Sequence, residues 1–251
     1  MAAYTAVDDP ELHFQIKLYT GVEIDDTSIT LGGGTDMAPD LIWFNCRSHA
    51  EAKVIHDSPR GVLKRLFPGS GDTEASSADA LQSFDANGWT MGTNDQLNSD
   101  GKTYVAWCWK ANGAGSSNTD GTINTTKTSA NTTSGFSIAT YTGSGSAATI
   151  GHGLGVVPNM IMVKRLNGTD QWRVFHSAIG ETKYMILSTV SAITDEVTIW
   201  NDTAPTSSVF TIGTDSSTGT SSDTYVAYVF ADVQGFSKFG SYEGNGNADG
   251  A

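Results

Sequence analysis

Residues 103–110, Thr-Tyr-Val-Ala-Trp-Cys-Trp-Lys, return 121 positions later as Thr-Tyr-Val-Ala-Tyr-Val-Phe over residues 224–230. Nothing else in the chain limits its fold as much, because two diverged copies of one segment mean a tandem repeat. Each copy alternates small residues (Ala106, Cys108; Ala227, Val229) with larger ones (Val105, Trp107, Trp109; Val226, Tyr228, Phe230). That period of two, apolar on both sides, predicts a strand covered on both faces. We read it as the closing core strand of a β-rich unit.

The rest of the repeat falls into place around this strand. Phe14-Gln15-Ile16-Lys17-Leu18-Tyr19-Thr20-Gly21 is matched by Phe136-Ser137-Ile138-Ala139-Thr140-Tyr141-Thr142-Gly143, a strand running into a turn in both copies. Pro39-Asp40-Leu41-Ile42-Trp43-Phe44 is matched by Pro158-Asn159-Met160-Ile161-Met162-Val163, and Gly88-Trp89-Thr90-Met91 by Val209-Phe210-Thr211-Ile212. The expected architecture is all-β, with two tandem β-sandwich units of jelly-roll-like kind. Residues 1–110 form the first unit and 135–234 the second. Between them 111–134, rich in Ser, Thr, Asn and Gly, is a linker or an edge hairpin. Residues 235–244 repeat the opening motif a third time, so 235–251 is expected to be the opening strand of a third unit or a C-terminal tail. With 28 Gly and only 16% charged residues, the composition suits short strands joined by many turns.

A net charge of -13, with no basic cluster beyond Arg60, Lys64 and Arg65, argues against nucleic acid as a ligand. No apolar run reaches the length of a membrane span, and residues 1–7 lack the pattern of a secretory signal. Cys46 and Cys108 align with Arg165 and Val229, so the second copy has no bridge at those positions and Cys108 reads as a small core residue.

Few residues offer chemistry. The run Gly151-His152-Gly153-Leu154-Gly155 is followed by Pro158 and an alternating strand rather than a helix, which makes it a tight turn and not a phosphate loop. His56 in Val54-Ile55-His56-Asp57-Ser58 is matched by His176 in Val174-Phe175-His176-Ser177, a polar residue recurring at one position of the two copies. This repeated polar position is structural in our reading, with ligand contact as the alternative; His13, His49 and His152 add no metal spacing. Glu51, Glu181 and Glu196 have no acidic counterparts in the other copy, so no repeated carboxylate pair points to glycoside hydrolysis. No nucleophile elbow or Cys/His dyad appears. Neither catalytic residues, a metal nor a cofactor are indicated.

Trp43, Trp89, Trp107 and Trp109 align with Met162, Phe210, Tyr228 and Phe230 and are expected in the core. Trp172 and Trp200 have no apolar counterpart. With Asn201 and Asp202 they form the expected ligand-binding set, flat apolar rings in polar loops suited to stacking on a sugar.

Several of these motifs together carry a resemblance: Asp8-Asp9-Pro10, Leu18-Tyr19-Thr20-Gly21, residues 103–110, Ser134-Gly135-Phe136-Ser137-Ile138, Gly151-His152-Gly153-Leu154 and Phe236-Ser237-Lys238-Phe239-Gly240-Ser241-Tyr242. The chain resembles a tandem-repeat family of virion proteins of tailed, often marine, bacteriophages, usually described as tail-fibre-like. The resemblance implies a non-enzymatic structural protein of the virion, assembled in the host cytoplasm. It also implies contact with other virion proteins and with host-surface glycan, and, by analogy with fibres, a homotrimer. The alternatives are a capsid decoration or head-fibre protein and a glycan depolymerase.

Overall fold

The structure, a computed structural model, describes residues 5–247. Strands dominate. The first unit contains β1 (Phe14–Thr20), β2 (Thr27–Thr30), β3 (Leu41–Cys46), β4 (Val54–Asp57), β5 (Lys64–Arg65), β6 (Ala75–Ser76), β7 (Leu81–Asp85), β8 (Gly88–Met91) and β9 (Thr103–Trp109), with a single-turn helix α1 (Asp95–Asn98) before β9. The second contains β10 (Lys127–Asn131), β11 (Phe136–Thr142), β12 (Ala148–Gly151), β13 (Met160–Arg165), β14 (Arg173–His176), β15 (Lys183–Ile186), β16 (Thr194–Asp195), β17 (Val209–Ile212) and β18 (Thr224–Phe230), with α2 (Val197–Trp200) before β17.

Each unit is a large antiparallel sheet facing a smaller one. In the first, β1-β9-β3-β4 is opposed by β2-β8-β7; in the second, β10-β11-β18-β13-β14-β15-β16 is opposed by β12-β17. The opening strand lies beside the closing one (β1 with β9, β11 with β18), and the second lies beside the one before last (β2 with β8, β12 with β17). This nesting is jelly-roll-like. The hairpins β3–β4 and β13–β14 depart from it by staying within the large sheet.

The alternation in the closing strands sorts side chains into three apolar layers. From β9, Ala106 and Cys108 enter the core of the first sandwich with Phe44, Trp89 and Leu97. From β18, Tyr225, Ala227 and Val229 enter the core of the second with Phe175, Trp200 and Phe210. The opposite faces of the two large sheets meet in a third layer, where Leu41 and Ile55 of the first unit pack with Ile138, Trp172, Tyr228 and Phe230 of the second. The second copy of the repeated strand, β18, is therefore covered on both faces because its sheet separates two cores, whereas β9 is fully covered only towards its own core and Trp107 and Trp109 are half-buried on the other side. At ~25 cal/mol per Å² of apolar surface removed from water, this third layer stabilises the two units as one body rather than as beads on a string.

A pair of tyrosines repeats with nearly the same geometry. Tyr19 stacks on Tyr104 at 5.2 Å and Tyr141 on Tyr225 at 5.1 Å. The hydroxyls of Tyr104 and Tyr225 each accept one backbone N–H (Ser99, Thr220) and donate to one carbonyl (Asp95, Ser216), tying the loop before the closing strand to that strand.

Residues 111–134 cross from one unit to the other, and within them β10 pairs with the outer edge of β11. Residues 235–247 form no strand, so the expected opening strand of a third unit is not present over this stretch. Both edges of β18 are taken, by β11 and β13, and residues 248–251 lie outside the described residues. Gly235, at φ +76°, turns the chain back instead. The Phe239 ring then packs on Phe230 at 5.7 Å, and its N–H donates to Asp232 Oδ1 at 2.8 Å.

Candidate functional site

The residues singled out for ligand binding do not form a surface. Trp172 is fully buried; its ring stacks on Tyr228 at 6.1 Å and its Nε1–H donates to the Phe67 carbonyl of the other unit at 3.0 Å. Trp200 is 2% exposed and meets Phe175 edge-on at 6.1 Å in the second core. Polar neighbours hid this in the sequence. The turn of α2, capped by the Glu196 side chain accepting from Thr198 N–H at 3.1 Å, carries Ile199 and Trp200 inward. Asn201 and Asp202 are exposed, with φ of 53° and 47°; they reverse the chain after α2, a left-handed conformation that Asn and Asp tolerate better than most residues. Neither tryptophan can act as a stacking platform, and that part of the expected site is withdrawn.

The matched histidines are not equivalent either. Leu41 pairs with Asp57 across β3–β4, whereas Met160, the counterpart of Leu41, pairs with His176 across β13–β14. Ser58 N–H donates to the Asp40 carbonyl and Ser177 N–H to the Asn159 carbonyl, both at 2.8 Å, which anchors the same offset. The counterpart of His176 is thus Asp57, and that of His56 is Phe175. Aligning by residue type introduced a one-residue slip, and in a strand one residue exchanges the two faces. His56 lies in the first sandwich, fully buried, with its ring edge-on to Phe44 at 6.1 Å and Nδ1 3.0 Å from the Val62 carbonyl. Burial, with the nearby Arg60 charge adding to it, lowers its pKa to about 3. His176 is half-buried on the other face of its sheet, where Nδ1 accepts from Ala178 N–H at 3.1 Å.

The concentrated chemistry lies at the junction of the units. Asp57, fully buried, takes Arg60 Nε at 2.6 Å and the Tyr228 hydroxyl at 2.6 Å. Arg60 also reaches Glu74 Oε1 at 3.0 Å, and Glu74 Oε2 meets Lys64 at 3.1 Å. Burial alone would weaken the charged form of Arg60, but Asp57, Tyr228 and Glu74 more than offset it and hold its pKa above the ordinary arginine value. The buried Lys164 donates from Nζ to the carbonyls of Arg165 (2.7 Å), Gly168 (3.2 Å) and, across the junction, Gly71 (3.3 Å). Desolvation lowers its pKa to about 8 despite the attraction of Asp170 and Asp72. In the sequence Arg60 and Lys64 stand out only as part of a modest basic group. The usable signal was their presence among just 14 basic residues, next to an aspartate with no acidic counterpart in the second copy.

Beside this network a cleft of about 230 Å³ opens between the units, lined by Pro59, Arg60, Lys64 and Glu74 from one side and by Thr126, Lys127, Thr140, Tyr141, Leu166, Thr224 and Tyr225 from the other. Threonines and two lysines over an aromatic and aliphatic floor are side chains suited to a polyhydroxylated ligand, while the Arg60 guanidinium is already held by Asp57 and Glu74. Glu74 is the one carboxylate in the lining, and it is held in ion pairs with Arg60 and Lys64. Among the described residues no group of three or more His, Cys, Asp or Glu side chains is placed to hold a metal ion, and no helix is long and apolar enough to cross a membrane. Cys46 and Cys108 are free and buried; they face Tyr104 and Ile42 respectively on adjoining strands, four residues apart in register.

The tryptophans expected in the core divide differently. Trp89 is fully buried, but Trp43, Trp107 and Trp109 are half-buried on the face of the first large sheet turned away from its own core, where Trp43 and Trp109 pack against the third layer. Trp43 and Trp107 meet edge-on at 6.5 Å, and Trp107 lies across from the exposed Ile16.

Fold and junction together define an all-β protein of two fused sandwich-like repeats. The chain belongs to the family described as a domain of unknown function, DUF7483, whose model matches residues 9–251. No curated protein and no solved structure matched it.

Proposed function

We propose that the chain is a non-enzymatic structural and receptor-binding protein of a bacteriophage virion, tail-fibre-like, that contacts host-surface glycan through the cleft between its two units. The virion context comes from the sequence resemblance. The observation that carries the binding mode is the cleft itself, whose lining brings Thr126, Thr140, Thr224, Lys64 and Lys127 of the two units around a largely apolar floor. A hydrolytic mechanism of the usual kind needs two carboxylates flanking the scissile bond, and this cleft offers Glu74 alone, already paired twice. A binding role also accords with the way the other buried charges, Asp57 and Lys164, are consumed in joining the units.

The test is binding of the purified protein to host cells and to their isolated surface polysaccharide. Saturable binding is expected, lost in Thr224→Trp, which fills the cleft from its exposed rim, and weakened in Lys64→Ala. Binding unchanged in both variants would remove the cleft from the proposal, and release of oligosaccharide would overturn the non-enzymatic reading. Localisation of the protein to the capsid shell in imaged virions would refute the tail-fibre assignment.

A further inference from the structure

The two units are built alike, yet one edge is covered in the second and open in the first. In the second unit the outer edge of β11 is paired by β10 from Phe136 to Thr140, with Lys127 opposite Thr140, Ser129 opposite Ile138 and Asn131 opposite Phe136. The counterpart of β11 is β1, and β1 is an edge strand of its sheet. Which backbone groups it presents follows from the ladder. The Lys110 N–H donates to the His13 carbonyl and the Gly21 N–H to the Lys102 carbonyl, so the odd-numbered residues of β1 exchange hydrogen bonds with β9. The N–H and C=O groups of Phe14, Ile16, Leu18 and Thr20 therefore point outward. In the second unit the matching outward carbonyl, that of Thr140, accepts from Thr126 N–H at 2.7 Å. Among the described residues nothing bonds the outward groups of Ile16 and Leu18.

The side chains on this face differ too: Ile138 is fully buried in the third layer against the first unit, whereas Ile16 is 54% and Leu18 57% exposed. The segment that covers the edge in the second unit is the stretch immediately before its opening strand. Before β1 the chain instead runs away from the edge, through a 3-10 turn at Pro10–Leu12 to Ala6, whose N–H donates to the Gln234 carbonyl at 2.9 Å beside the second unit. A seven-residue unpaired edge that exposes Ile16 and Leu18 is a template for a strand from another chain.

We propose that β1 is a self-association strand: β1 of a second copy pairs with it antiparallel about a two-fold axis at Ile16, joining the two four-stranded sheets into one continuous sheet. An antiparallel edge is self-complementary, as a closed two-fold contact requires. The axis at Ile16 makes Ile16 pair with its own mate and Phe14 with Leu18 of the other copy, with about six backbone hydrogen bonds in all. It also places Lys17 across from Gln15 of the second copy. An axis at Lys17 would set two like charges directly opposite each other, which is unfavourable. The inference stands on the repeat geometry and is independent of the glycan reading. It departs from the homotrimer that the resemblance implies.

Analytical ultracentrifugation of the full chain against Ile16→Pro decides it. Proline at position 16 removes an N–H that the chain does not use internally, at an edge where proline is tolerated, so the fold is kept. It deletes two of the intermolecular bonds, one per copy. The wild type is expected to dimerise reversibly, and Ile16→Pro to weaken the dimer by roughly tenfold or more with an unchanged circular dichroism spectrum. Leu18→Lys, which leaves the backbone intact, is expected to weaken it as well. A wild type that stays monomeric at the highest soluble concentration overturns the proposal. So does an oligomer of any size that both variants leave untouched, or a trimer in place of the dimer.

Discussion

Replacing His56 by Phe should make the protein more resistant to acid, and the size of the gain follows from where His56 sits. The imidazole is fully buried in the first sandwich and its pKa is lowered to about 3 by desolvation and by Arg60. In the unfolded chain it titrates near ~6.5. Between these values the unfolded state binds a proton that the folded state refuses, so stability falls as pH falls. The loss is absent above about pH 7.5, starts near the unfolded pKa and levels off only below the folded one. By pH 5 it amounts to about 2 kcal/mol at ~1.4 kcal/mol per pH unit. That figure depends on the unfolded pKa and hardly on the folded one, since a group with a folded pKa of 3 or of 4 is neutral at pH 5 in either case. Phe is the natural replacement because Phe175 fills the corresponding place in the second sandwich. The variant forfeits the contact between Nδ1 and the Val62 carbonyl, a cost of about 0.5–1.5 kcal/mol that does not vary with pH. Urea unfolding of both proteins near pH 7.5 and pH 5 gives four free energies. Other titrating groups, including His13 and His152, whose pKa values burial also lowers, are common to both proteins and cancel. The drop from pH 7.5 to pH 5 should be smaller in the variant by about 2 kcal/mol. Equal drops would show that His56 takes up its proton in the folded protein and that the account of its burial is wrong.

Three further outcomes are expected. Arg60→Met leaves Asp57 charged and buried without its ion-pair partner and should cost about 3–5 kcal/mol in urea unfolding. The double variant Asp57→Leu, Arg60→Met should recover part of that loss; if it is no better than the single change, the penalty does not come from the orphaned carboxylate. Gly21→Ala and Gly143→Ala should destabilise alike, by about 1–3 kcal/mol each, because a Cβ would run into the Ser99 carbonyl oxygen in one unit and the Thr220 carbonyl oxygen in the other. A large difference between the two would mean the turns are not equivalent. Burial pushes the Cys108 thiol up in pKa and Cys46 is buried too, so an aromatic disulfide reagent should label neither in the native protein and both after unfolding.

What the sequence made legible was whatever depends on alternation and repetition. The opening and closing strands, the glycine turns after them and the all-β class are written in local residue order, and the stacked pair Tyr19 and Tyr104 recurs visibly as Tyr141 and Tyr225. What it concealed depends on the second face of a sheet. Alternation shows that both faces of β18 are covered but not by what, and the answer, the other unit, relocates several assignments at once. Trp172 has no counterpart in the first copy because it serves the contact between copies, bonded to Phe67 across the junction. Asp57 differs from its true counterpart His176 for the same reason, since it meets Tyr228 from the opposite unit. Trp200 was missed more simply: one helical turn buried it behind polar neighbours.

These displacements share a cause that bears on function. A tandem repeat read by alignment assigns core residues to matched positions and sites to unmatched ones. That rule holds for units that stand apart. When two copies pack through homologous faces, the faces must diverge to fit each other, and divergence then marks the junction as readily as a ligand site. Leu18 and Thr140 illustrate the converse. They hold corresponding positions in β1 and β11, yet Leu18 is 57% exposed and Thr140 9%, because the face of β11 that carries Thr140 is turned to the first unit and its edge is paired by β10, while the described chain leaves β1 open. An asymmetry of cover at matched positions is a better guide to unmet contacts than asymmetry of sequence. By that measure the surfaces left to meet partners are the edge of β1, with Ile16, Leu18 and the nearby Trp107, and the cleft beside Arg60.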